Sequence, residues 1–190
     1  MKRITIVAFA ICTAAGTGLA FSQDGFRQFS EFLNGFKEAT AVVSTTGTGT
    51  FHASINADET EINYFLTFRD LEGDVRQAHI HIGHPQNQGG IVLWLCDSEN
   101  NPAPSDLTPA CTQADPNNAR AGEVSGTLTA ADVQAQAGNG IAAGEFAEVI
   151  ALIRAGKTYV NVHSVKFGGG EIRSQIDRRD SGRDSGHGDH

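Results

Sequence analysis

The stretch "TFHASINADETEINYFLTF" (residues 50–68) decides the fold class. Successive side chains of an extended chain point to opposite faces. Phe51, Ala53 and Ile55 therefore share one face, with His52 and Ser54 on the other. "ADET" supplies turn residues, and "INYFLTF" resumes an extended run that is apolar on both faces. A period of two across a polar turn reads as a β-hairpin.

The same period continues outward. In "AHIHIGHPQNQGG" (residues 78–90), Ala78, Ile80 and Ile82 alternate with His79 and His81, and the turn that follows holds His84 before Pro85. "IVLWLC" (residues 91–96) is apolar throughout, which predicts a central strand with Trp94 in the core. "GEVSGTLT" (residues 122–129) turns Val124, Gly126 and Leu128 inward, and "YVNVHS" and "EIRSQI" flank the glycine turn "FGGG" as the last two strands. One segment departs from the pattern. In "EFAEVIALIRAG", Phe146, Val149, Ile150 and Ile153 follow helical spacing, and Gly156 stands where a C-terminal cap glycine belongs, so a helix is predicted near residues 145–155. "AADVQAQ" predicts a further short helical turn. Phe26, Phe29, Phe32, Leu33 and Phe36 fit either a helical stripe or an edge strand.

The chain of 190 residues opens with Lys2 and Arg3, an apolar run and the small-residue site "AFSQ". That is the layout of a signal peptide over residues 1–22, cleaved after Ser22 or alternatively Ala20. The apolar run is shorter than the ~20 residues of a spanning helix, so no transmembrane segment is expected. Removing residues 1–22 takes away two cations and no acid, moving the formal charge from −8 to −10. Such a surface repels phosphate backbones, so nucleic acid is excluded as a partner. Cys96 and Cys111 remain, an even pair in an exported chain, flanking a loop rich in Pro, Ser, Asn and Asp. They are expected to form a disulfide. Residues 23–177 form one domain, and residues 178–190, without an apolar side chain, a disordered tail in which His187 and His190 are poor evidence of a site.

"AHIHIG" together with "YVNVHSVKFGGGEIRSQI" resembles the CHRD domain, the module named after chordin. "FLNGFKEA", "GTGTFHASINADETEINYFLTF" and "LIRAGKTYVNVH" extend the resemblance over about Phe29 to Ile176. Two departures are the long Cys96–Cys111 insertion and Gly168, at a position where the family commonly has proline. The resemblance implies an extracellular, antiparallel Greek-key sandwich of immunoglobulin type, and it favours a strand over residues 29–34. It implies an exported, non-enzymatic binding or adhesion module whose ligand is an extracellular protein or carbohydrate.

His79 and His81 project from one face of their strand; Tyr159, Asn161 and His163 share a face of another; Glu171, Arg173 and Gln175 share a face of the last. Opposite them lie Val160, Val162, Ile172 and Ile176, so the polar faces are expected to converge on one side of one sheet. Two readings follow. In the preferred one, imidazoles, Tyr159, Asn161, Glu171 and Arg173 satisfy one another as a hydrogen-bonded lattice. In the other, His79, His81 and His163 hold copper or zinc, with Glu171 orienting an imidazole, and copper would allow redox activity. "HIH" is similar to the copper-binding strand of copper–zinc superoxide dismutase, but the chain has no histidine-and-aspartate zinc loop, so the likeness carries no dismutase activity. No catalytic residue is expected. The glycine-rich stretches lack the lysine of a phosphate-binding loop, and no nucleophile elbow occurs.

Overall fold

The computed structural model describes residues 27–39, 41–111 and 117–177; the expected leader and tail lie outside the described residues. The strands are β1 (Gln28–Asn34), β2 (Thr48–Ile55), β3 (Ile62–Arg69), β4 (Val75–Ile82), β5 (Ile91–Cys96), β6 (Gly122–Leu128), β7 (Thr158–Ser164) and β8 (Ile172–Ile176). They form one antiparallel sheet in the order β5-β4-β7-β8-β1-β2-β3-β6. Its narrowest joint is between β8 and β1, where Asn34 opposite Arg173 is the paired position. The sheet curls until its edge strands β5 and β6 approach each other, giving a nearly closed barrel. Tyr64 spans that closure by donating its hydroxyl to Leu95 O at 2.5 Å. Its ring needs Gly126 opposite, where a Cβ would stand 2.7 Å from the phenol oxygen.

The all-β antiparallel class with one helix is what the structure has; the hydrogen bonding runs through a single sheet. The alternation explains the core. Phe51, Ala53, Ile55, Ile62, Tyr64, Leu66 and Phe68 are buried, together with Ala78, Ile80, Val160, Val162 and Ile172. β1 settles the ambiguous start as a strand. Phe29 and Leu33 are buried while Phe32 and Phe36 are exposed, the signature of period two. The helix α1 (Phe146–Arg154) buries the four residues of its predicted stripe, and Gly156 follows it at φ 66°, with its N–H donating to Ile153 O. "AADVQAQ" begins with a 3-10 turn, Ala130–Asp132, whose start is closed by a Thr129–Asp132 capping box.

Two expectations fail at β5. It is a terminal strand of the sheet rather than a central one, and it is buried because the curl of the barrel and Gln134 and Gln136 cover it. Trp94 is half-buried rather than in the core. Register shifts in the β4–β5 ladder put it opposite His79 on the outer face. Cys96 and Cys111 are bonded across a separation of 15 residues, holding the loop after β5 against the barrel.

Candidate metal centre

The outer face of β4, β7 and β8 is a grid fixed by register. His79, Asn161 and Arg173 lie in one row; His81, Tyr159 and Gln175 in the next; Gln77 and His163 in a third. Directly opposite residues of an antiparallel pair share a face. The two-residue spacing of His79 and His81 thus meets His163 diagonally, on one side of one sheet.

Polar outer faces normally lie in water, but this one is roofed. The turn after β4 folds back over it and is fixed by the grid itself. Arg173 Nη2 donates to His84 O and Asn87 O, both at 3.0 Å, and Gln175 Nε2 donates to Gly83 O at 2.9 Å. Gly89 N–H donates to the Tyr159 hydroxyl at 3.2 Å. The turn before β8 closes the other end through Gly168. Consequently His79, His81 and His163 are 0, 7 and 6 % exposed.

Two rings are held by backbone. His81 Nδ1 lies 2.9 Å from Gly89 O, and His163 Nδ1 lies 3.0 Å from Gly168 O. A carbonyl only accepts, so the His81 Nδ1 carries the proton and leaves a lone pair on Nε2. His81 Nε2 makes no well-formed hydrogen bond, although Asn161 stands close enough to favour its protonation. His163 Nε2 is 3.0 Å from Asn161 Oδ1, itself an acceptor, so the single proton of the neutral ring serves either Gly168 O or Asn161. Neither nitrogen of His79 has a partner. No two of the three ligand nitrogens are further apart than 4.8 Å, and among the described residues this is the group of histidine, cysteine, aspartate or glutamate side chains so placed. Ring contacts fix the walls. Trp94 packs edge-on against His79 at 4.3 Å, and Tyr159 stacks parallel on His81 at 4.8 Å. Arg173 lies over the other side of Tyr159, 3.3 Å from its centroid.

Burial sets the charge state. It pushes the His79 imidazole down to about 2, with His163 and His81 adding to the effect, and His81 down to about 4, against the Gly89 hydrogen bond. His163 is depressed as well, by burial first. All three are neutral near pH 7, the form that ligates metal.

Of the other expected members, Arg173 shares this face and Glu171 is bonded elsewhere. Glu171 is fully buried, but its Oε1 accepts from Thr45 Oγ1 and Glu72 N, both at 2.6 Å, so it pins the segments before β2 and β4 rather than an imidazole. Arg173 holds the roof and Tyr159, and His84 is exposed in the turn with only its carbonyl engaged. Sequence reasoning missed Glu38, a buried acid beside Gly170 that reaches Asn161. Burial pushes its carboxyl up to about 7, against Arg173 and the Asn161 hydrogen bond. Nothing in "GFKEA" marks it, since it follows a 3-10 turn outside any periodic segment.

The family model of the CHRD domain matches residues 29–176, nearly all of the described chain. No curated protein and no solved structure is similar enough to match. Among the described residues no helix is long and apolar enough to cross a membrane.

Proposed function

The chain belongs to the CHRD domain family, and from that premise we propose that it is an exported binding module whose ligand is a transition-metal ion, copper or zinc, held by His79, His81 and His163. Export fits both the leader read in residues 1–22 and the extracellular setting of CHRD domains. The observation that carries the metal is the hydrogen bonding of the rings. Two imidazoles set Nδ1 against backbone carbonyls, the outer contact that metal-ligating histidines ordinarily make. The third is wholly buried with neither nitrogen partnered. A lattice that existed to satisfy its own polar groups would not leave both nitrogens of the buried His79 unpaired. Glu171 and Arg173, which such a lattice requires, serve the loops instead.

Metal analysis tests this reading. Protein lacking residues after Asp177 and carrying no histidine tag should hold close to one copper or zinc per chain, and a His79→Ala/His81→Ala variant none. Metal-free protein that gains no thermal stability from either ion would remove the proposal.

A second reading, a protein or carbohydrate partner, draws on the outer face of β1–β3. There Phe32 and Phe65 are 48 and 39 % exposed among Ser30, His52 and Thr50. The Greek-key, immunoglobulin-like description is likewise a proposal, supported by the single β1–β8 pairing that divides the sheet into two four-stranded halves.

A further inference from the structure

We propose that the ion is monovalent copper, held by two imidazole nitrogens, rather than zinc. This rests on the metal reading of His79, His81 and His163 and deepens it.

Spacing is the first ground. Zinc takes four ligands at tetrahedral angles, which at Zn–N bonds of about 2.0 Å puts ligand nitrogens roughly 3.3 Å apart. A linear pair at the same bond length spans about 4 Å. The ligand atoms here all lie within 4.8 Å of one another, a spread that a linear pair meets with less movement than a tetrahedron does. Closing to a tetrahedron would need larger ring movements, and the rings are restrained by Trp94, Tyr159 and the Gly89 and Gly168 carbonyls.

The donor set is the second ground. The cluster contains no carboxylate or thiolate, so a dication on neutral nitrogens would shed charge only through a bound hydroxide, which the roofed pocket must also admit. The cost of burying charge grows with its square, so a dication costs roughly four times a monocation of the same size. The surrounding charges do not offset it. Arg173 and Arg76 act on His81 and His163 as positive neighbours, and the acid that reaches the cluster through Asn161, Glu38, is itself resisted by burial. The one further polar side chain against a ligand nitrogen is the Asn161 amide, a weak fourth donor. Among ions suited to imidazole, copper is the one with a stable singly charged state.

The test uses the full chain with His187→Gln and His190→Gln, so that tail histidines do not compete. Under anaerobic conditions the protein competes with a chromophoric chelator for Cu(I), and then meets a large excess of Zn(II). One Cu(I) per chain should be retained and not displaced, and the copper absorption edge should show two nitrogen neighbours. Displacement of Cu(I) by Zn(II), or a three- or four-coordinate shell, overturns the inference while leaving a metal site standing. Retention of neither ion overturns the metal reading, and the inference with it.

Discussion

His52 and the three clustered histidines have the same local surroundings in sequence and different fates in the fold. Each lies on a strand of one sheet, on the face away from the core. His52, on β2, stays exposed, with its ring bonded to Ser30 Oγ at 3.0 Å across the β1–β2 ladder. His79, His81 and His163 are buried because two turns fold over their end of the sheet and are fastened by Tyr159, Arg173 and Gln175. A histidine on a strand becomes a candidate ligand through what covers it. The cover removes water, keeps the imidazoles neutral and leaves lone pairs without partners.

The largest difference between the two regions should appear on adding metal. An ion present at about a thousand times its dissociation constant stabilises the folded state by about 4 kcal/mol. His79→Gln/His81→Gln should lose that gain, and His52→Gln should keep it, as read by calorimetry with and without copper.

Acid should separate the regions next. The folded-state values of the clustered histidines are depressed below the unfolded value, so the unfolded chain binds their protons first. Their contribution is present above pH ~6.5 and is lost as pH falls through about 4 toward 2. Glu38 is shifted the other way, up to about 7, and its contribution fades as pH rises from ~4.5 to 7. His79 and His81 against Glu38 leave a net loss of roughly 1 kcal/mol per pH unit on acidifying the metal-free protein between pH 6 and 5, and His163 adds to it in the same direction. Urea unfolding across that range checks it. His52→Gln should leave the slope unchanged, and a flat profile would mean that the cover admits water to the rings.

Removing the fastening should cost somewhat less than the ion contributes. Arg173→Ala deletes a side chain that is 1 % exposed, leaves Asn87 O without its guanidinium donor and leaves His84 O with the Asn87 N–H alone. A destabilisation of about 2–3 kcal/mol is expected, with faster hydrogen exchange over residues 83–90. On the open face, Phe32→Ser should change stability by less than about 0.5 kcal/mol, the ordinary surface value.

Much of the strand scheme was legible because period two reports faces directly. Phe51, Ala53 and Ile55 gave their strand's inner side, and the positions of His79, His81 and His163 gave a shared outer side. What covers that outer side was not legible. The roof is made of carbonyls of His84, Asn87 and Gly89, which any residue carries, so its hydrogen bonds leave no compositional trace. Glu171 and Glu38 show the same limit. One alternates with the polar face yet serves Thr45, and the other reaches Asn161 from a 3-10 turn. The terminal place of β5 depended on barrel closure through Tyr64 and on ladder bulges, both long-range.

The central claim is that the covered histidines, and not the open face or the tail, hold the ion. Anomalous diffraction from a crystal grown with copper, recorded on both sides of the copper absorption edge, addresses it directly. The expected result is one strong peak within bonding distance of at least two of the His79, His81 and His163 ring nitrogens, with Gly89 and Gly168 still accepting from Nδ1. A peak confined to His52, His84 or the tail, with the three rings occupied by ordered water, would contradict it.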